Sequence, residues 1–294
     1  MYQATVPVAG PTEADRAAAF GEALRVATVR ASGQRDAGTR PAVASAAADP
    51  TRYVQQYSTT ADRMLKVGFE PAAMDRLLQQ AGLPFWPAER PPTLVLLVVP
   101  SVAGGGRSLT AQDRIPERAE LERVAQVRGL PVVWPAQAVP AAQVRSMVAG
   151  AAAPPAGRLV LAGVSDGITV AWRYLDGGQG ARVDGPVAAG ADLAADVLAA
   201  RYAPPSTRGS STVLLRVGGV GDVRAYAGLL DYLGSLSMVR AVTVRDVQDR
   251  SVGLEVTLRG DLELLGRVVS LGERLAPPSQ DPGDGRRVDF MYQP

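Results

Sequence analysis

The sequence has no cysteine, no histidine and only one lysine, Lys66, among its 294 residues. The lack of cysteine excludes disulfides, thiolate metal ligands and thiol nucleophiles. The lack of histidine excludes every catalytic triad that relies on an imidazole base. Metal chemistry is left to carboxylates, and Asp281 and Asp284 do not have the spacing of a calcium loop.

The sequence also has no large excess of one charge sign and no long apolar run. Lys plus Arg number 31 and Asp plus Glu 29, which gives a net charge of +2. A protein that binds nucleic acid needs a basic excess to displace counterions, so this balance predicts no nucleic-acid partner. The longest apolar run, residues 94–99, is far below the roughly 20 residues that span a bilayer, so we predict no transmembrane segment.

Two proline-rich stretches, 83–92 and 203–211, divide the chain into three predicted domains at 1–85, 93–203 and 212–294. We predict an α+β and α/β multidomain protein. The N-terminal domain is predicted to be a small α+β unit in which Thr12 begins a helix through a capping box. In order, its elements are a strand at 2–8, helices at 12–33 and 42–48, strands at 53–58 and 64–69, and a helix at 70–82.

The central domain is predicted as a mixed α/β layer with the order βαβαββα. Its strongest local signal is Asp166-Gly167, which predicts a hairpin between strands at 158–164 and 168–175. The C-terminal domain has the order βαββαβ, typical of a ferredoxin-like unit, and its last strand at 288–292 is expected at a sheet edge. That fold serves many unrelated functions, so it predicts none.

The motifs that resemble catalytic or phosphate-binding sequences all lack a required part. Residues 163–167 match G-x-S-x-G around Ser165, but the chain has no histidine base and a hairpin is expected there. Lys66 has arginine where an S-x-x-K motif needs serine. The glycine clusters at 104–108 and 218–221 do not complete a Walker or dinucleotide loop. We therefore predict no catalytic residue, no cofactor-binding residue and no metal site.

Phe85 and Trp86 lie in the first proline-rich stretch and are the predicted interaction residues. They could anchor a partner, because aromatic side chains dominate the energetics of protein interfaces. The alternative, which we favour, is a rigid linker whose aromatic side chains pack on the neighbouring domain.

Several short segments of the sequence resemble the domain of unknown function 2066 family of exported proteobacterial proteins. These segments are residues 2–8, 29–33, 52–57, 82–86 and 128–132. The resemblance implies a periplasmic location, with the chain as the mature form after removal of a signal peptide. A strand at residue 2 agrees with that expectation. The family resemblance implies no activity and no catalytic residue.

Together these features predict a non-enzymatic interaction scaffold of the cell envelope, which needs no cofactor and has an envelope protein as its partner. Recognition is expected at an exposed sheet edge or an aromatic patch. Two alternatives stay open. One is a small-molecule-binding module with a pocket rimmed by residues 218–221. The other is a carboxylate-based hydrolase acting on envelope glycans.

Overall fold

The computed structural model describes residues 2–60, 62–102, 104–177, 180–203, 210–272, 274–276 and 290–293. Over these residues the chain is mixed α/β, with eight α-helices and three β-sheets. None of the helices in the described ranges is long and apolar enough to cross a membrane. The chain forms two compact units, one of residues 2–74 and 91–201, the other of 75–90 and 202–294.

The N-terminal sheet is antiparallel and has the strand order β1-β3-β2. All six predicted elements are confirmed. Thr12 and Asp15 form the expected capping box, and Gly33 ends the first helix with a positive φ of 72°. The elements are β1 (Gln3–Pro7), α1 (Glu13–Ser32), α2 (Pro41–Ala48), β2 (Val54–Thr59), β3 (Met64–Phe69) and α3 (Pro71–Gln80).

Side chains alternate between the two faces of this sheet, as the strand period of two requires. On the side of α1, Ala4, Val6, Leu65 and Val67 are buried. The opposite face carries polar side chains and is open to solvent at Gln3, Thr5 and Lys66. We call it the outer face.

The central sheet has the order β5-β4-β7-β8-β9, with β6 also paired to β4. Strand β4 is parallel to β6 and β7, and the other pairs are antiparallel. The predicted hairpin is confirmed, whereas β5 and β9 were missed because each is short and follows a glycine-rich stretch. The elements are β4 (Thr93–Val99), β5 (Arg107–Ser108), α4 (Pro116–Arg128), β6 (Val132–Val133), α5 (Ala141–Ala149), β7 (Leu159–Ser165), β8 (Val170–Leu175), β9 (Ala181–Gly185) and α6 (Val187–Tyr202).

The C-terminal sheet has the order β11-β12-β10-β14-β13. Its elements are β10 (Ser210–Gly218), α7 (Val223–Ser235), β11 (Val239–Gln248), β12 (Ser251–Arg259), α8 (Leu262–Val269), β13 (Leu275–Ala276) and β14 (Phe290–Tyr292).

Two features of this sheet differ from the prediction. The described part of the last strand, β14, lies between β10 and β13, so it is not an edge strand. It also runs parallel to β10, whereas the last strand of a ferredoxin-like unit runs antiparallel to the first. The ferredoxin-like arrangement is therefore not confirmed. Helix α8 ends at Val269, and Leu275 begins the short strand β13.

The N-terminal and central sheets lie within the predicted segments 1–85 and 93–203, whereas the C-terminal sheet begins at Ser210, just before the predicted segment 212–294. The two compact units group these segments differently, because residues 75–90 belong to the unit of the C-terminal sheet. The domain boundaries themselves stay a prediction. Most of the predicted linker at 203–211 and the first two residues of the predicted last strand at 288–292 fall outside the described residues.

Candidate functional site

Phe85 and Trp86, the predicted interaction residues, are buried, with relative exposures of 3% and 0%. The Arg259 guanidinium lies 4.2 Å from the centre of the Phe85 ring, and the Arg90 guanidinium lies 3.9 Å from that of Trp86. Both are cation–π distances. In this conformation neither ring offers a surface to a partner. Their interaction role stays a prediction, and the site described below does not include them.

The residues of the G-x-S-x-G match form a hairpin turn. The Ser165 hydroxyl accepts a hydrogen bond of 3.0 Å from the Gly167 N–H. The Asp166 carboxylate accepts bonds of 2.8 Å from the N–H groups of Thr169 and Ile168, and these bonds lower the pKa of Asp166. A lowered pKa favours the charged form, which is the opposite of what a general acid needs.

The remaining motif residues are those of the glycine loop at 218–221 and Lys66. Gly219 lies against the backbone of Tyr292, and Gly221 lies against the Arg250 guanidinium, so side chains and backbone occupy the space beside this glycine loop. Lys66 lies on the outer face of the N-terminal sheet. Among the described residues, no group of three or more acidic side chains is arranged to hold a metal ion.

Strand β2 is the feature of the N-terminal sheet that is most open to a partner. It is the last strand of the sheet, and residues 55–59 are all exposed. The Thr60 N–H donates 2.9 Å to the Met64 carbonyl, which makes these two residues a hydrogen-bonded pair. Bonded and non-bonded pairs alternate along an antiparallel ladder. Tyr57 and Thr59 therefore direct their N–H and C=O groups away from β3, toward the open edge.

The two faces beside this edge differ in chemistry. Tyr57 shares the helix-facing side with Val67, is 53% exposed, and packs edge-on against Phe20 with ring centroids 5.1 Å apart. Ser58 shares the outer face with Lys66, its partner in register. Lys66 forms no ion pair within the described part of the chain. The edge thus has an aromatic pair on one side and a single cation on the other.

Most other sheet edges in the described residues carry a feature that discourages strand pairing. Strand β1 contains Pro7, and the carbonyl of its Gln3 accepts a bond of 2.7 Å from Arg30. Strands β5, β6 and β13 have two residues each. Strands β9 and β11 carry charged side chains, namely Arg182, Asp184, Arg240, Arg245 and Asp246. Among the described strands at sheet edges, β2 alone is longer than two residues and contains neither a charged residue nor a proline.

A cavity of about 500 Å³ lies at the turn end of the same sheet. Its apolar walls include Val8, Pro11 and Leu65, and Thr59 contributes to its polar part. Arg16 of α1 and Arg63 of the β2–β3 turn also line it. No sequence motif marks these two arginines, because only the folded chain brings the start of α1 next to the turn.

A family model described as Domain of unknown function (DUF8605) matches residues 1–87. Neither a curated protein nor a solved structure matches the chain. The resemblance drawn from the sequence is thus supported only as a likeness to a domain of unknown function; the matching family is not family 2066, and it gives no support to an envelope family. The matched region contains the whole N-terminal sheet, its open edge and the cavity.

Proposed function

We propose that the chain is a non-enzymatic interaction scaffold that binds an extended segment of a partner protein along the open edge of β2. The observation that carries this proposal is the unprotected edge itself. Tyr57 and Thr59 offer two N–H donors and two C=O acceptors in the geometry of a strand, and an added strand would satisfy all four. The backbone supplies affinity in this mode, and the flanking side chains supply specificity.

The side chains beside the edge define the chemistry of the partner segment. On the helix-facing side, a partner residue would contact Tyr57 and Phe20, which favours an apolar or aromatic side chain there. On the outer face, Lys66 sits one strand away from the edge and favours an acidic side chain within reach of its flexible stem. The proposed partner is therefore an extended segment that alternates apolar and acidic residues.

Photo-crosslinking in the native cells, with a photoreactive amino acid at Ser58, tests this proposal. The blocking variant is Tyr57→Lys, because a lysine at an edge discourages strand pairing. Gln143→Lys is the matched control, since it adds the same charge at an exposed position of α5, outside the N-terminal sheet. We expect one reproducible adduct that the Tyr57→Lys variant loses and the Gln143→Lys variant keeps. An adduct that survives Tyr57→Lys, or no adduct, would count against strand addition.

Amide hydrogen exchange on the complex with the captured partner gives a second, geometric readout. An added strand should protect the Tyr57 and Thr59 amides, which face outward, and leave the Ser58 amide unchanged, because it already pairs with β3. Protection of all three amides together would instead indicate general tightening of the hairpin, and would reject the proposed binding mode.

A periplasmic location and an envelope partner are part of this proposal, and they rest on the sequence resemblance alone. Fractionation of cells that express the chain from its native gene would test the location. Recovery with the periplasmic fraction is the expected result. Recovery with the cytosolic fraction would reject the location, while strand addition at β2 could still be tested with a cytosolic partner.

A further inference from the structure

The cavity at the turn end of the N-terminal sheet has walls that are bonded to one another. The Val8 N–H donates 2.9 Å to the Arg63 carbonyl, which joins the end of β1 to the β2–β3 turn. The Thr60 N–H closes the same turn on Met64. The volume of about 500 Å³ lies in the range of roughly 300–1,000 Å³ usual for small-molecule sites. The cavity is thus preformed.

Two arginine side chains give the cavity its charge. Arg16 and Arg63 both line it, and neither guanidinium forms an ion pair or a hydrogen bond with the described residues. No carboxylate is among the described lining residues. Asp15, the acid beside Arg16 in the sequence, is engaged by the Thr12 N–H and hydroxyl at 3.2 and 2.6 Å. Among the described residues, the cavity therefore presents two guanidinium groups without an ion-pair partner, while the Asp15 carboxylate lies beside Gly10 of its lining.

The backbone of Arg63 is held in an unfavourable conformation. Its φ of 55° lies in the left-handed region, which glycine and asparagine adopt more readily than arginine does. Strained residues persist where the surrounding structure enforces them, and they concentrate at ligand sites. The conformation places a guanidinium at the cavity in a turn where a smaller residue would fold more easily.

We propose that this cavity binds a small organic anion, with its carboxylate or phosphate group held by Arg16 and Arg63 and its apolar body against Val8, Pro11 and Leu65. Guanidinium groups match the geometry of both oxyanions. The apolar walls favour a ligand with a hydrocarbon portion over an inorganic ion. Thr59 belongs both to this cavity and to the open edge of β2, but anion binding by the two arginines does not require an added strand there.

Titration calorimetry of the full chain with hexanoate, hexyl phosphate, inorganic phosphate and hexylammonium tests the proposal. We expect saturable binding of hexanoate or hexyl phosphate, and the tighter of the two identifies the head group. Hexylammonium should not bind, because its charge has the wrong sign. Inorganic phosphate should bind at least tenfold more weakly than hexyl phosphate. Equal binding of the two phosphates would overturn the role of the apolar walls.

Two variants assign the binding to the arginines. Arg63→Asn keeps a residue that tolerates the left-handed conformation, and Arg16→Gln lies on the exposed face of α1, so both should remain folded. Each should weaken the preferred anion about tenfold or more, the usual effect of losing a hydrogen bond to a charged group. The control, Arg158→Gln, removes an exposed arginine far along the sequence and should change nothing.

The outcomes separate this proposal from the one for β2. The Tyr57→Lys variant should bind the anion as the wild type does, since Tyr57 is not among the described residues that line the cavity. Unchanged affinity in both Arg16→Gln and Arg63→Asn, or an equal loss in Arg158→Gln, would overturn the assignment. So would the absence of saturable binding by either hexyl ligand.

Discussion

Replacing Gly163 by alanine should destabilise the central sheet, because the Trp172 ring already occupies the place of the new methyl group. Gly163 lies opposite Trp172 in the β7–β8 ladder, and a Cβ there would be 2.5 Å from the Trp172 Cε3 atom. The ring cannot retreat, since a Cβ on Gly190 of α6 would also lie 2.5 Å from it, at Cε2. Trp172 is 1% exposed and is clamped between the two glycines.

The size of the effect follows from this geometry. Carbon atoms in good contact are about 3.5–4.0 Å apart, so the strand or the ring must move by about 1 Å. Overpacking of this kind costs typically about 1–3 kcal/mol. The change to alanine also raises the free energy of unfolding by about 0.5–1 kcal/mol, because glycine loses more conformational freedom on folding than alanine does. We expect Gly163→Ala to lower the free energy of unfolding by about 1 kcal/mol.

Urea denaturation followed by far-ultraviolet circular dichroism measures the loss. Gly234→Ala is the matched control: Gly234 lies in α7, nothing is within 4 Å of its Cβ position, and the change should be neutral or stabilising. In a Trp172→Leu background the clash is gone, so Gly163→Ala should cost less than about 0.5 kcal/mol. An equal cost in both backgrounds would refute the reasoning.

Two further predictions concern charged groups of the same compact unit. Arg128 is 2% exposed and bridges Asp192, Asp196 and the Gly33 carbonyl. Because Arg128→Met removes the buried partner of the two carboxylates, it should lower the free energy of unfolding by about 3 kcal/mol. Urea denaturation measures this loss. Hydrogen bonds, the largest from the Thr110 N–H, lower the pKa of Asp113, so its contribution is full above about pH 4 and is lost as the pH falls through the lowered folded-state pKa. Asp113→Asn should therefore cost about 1 kcal/mol at pH 7, and in a pH series of the same measurement the cost should shrink as the pH is lowered below about 4; a cost that stays constant on acidification would contradict this.

Local chemistry explains why most elements could be predicted. The capping box at Thr12 and the glycine at position 33 define α1 through bonds between residues close in sequence. The Asp166 carboxylate likewise fixes the β7–β8 turn through its own neighbours. All the residues that form such a signal lie within a short window of the sequence. These signals predicted α1 and the β7–β8 hairpin, and the structure places both within a few residues of the expected bounds.

Pairing between distant strands left no comparable signal. The pattern βαββαβ is the same whether the last strand runs parallel or antiparallel to β10. Only the register of Val217 with Phe290 shows that β14 is parallel to β10. Strands β5 and β9 were missed for a related reason: short, charged or glycine-flanked segments become strands because a neighbouring strand offers hydrogen bonds.

The candidate surfaces could not be located from the sequence for a third reason. Each depends on which hydrogen-bonding and charged groups lack a partner once the chain has folded. For the aromatic pair at 85–86 the sequence left two interpretations, a partner anchor and the favoured packed linker, and the fold buries both rings beside Arg259 and Arg90. Tyr57 looked like an ordinary strand residue, yet the ladder turns its backbone outward. Residue type predicts what a group can bind, but only the completed hydrogen-bond and charge pattern shows which groups still lack a partner.

The β2–β3 hairpin carries both proposed sites, and they use different atoms of it. Strand addition needs the outward N–H and C=O groups of Tyr57 and Thr59. Anion binding needs the guanidinium of Arg63 and that of Arg16 across the cavity. Since Thr59 also lines the cavity, a bound anion and an added strand would meet at this one residue, whose N–H and C=O groups face the edge. Variants at Tyr57 and at Arg63 therefore separate the two functions, whereas a variant at Thr59 would perturb both.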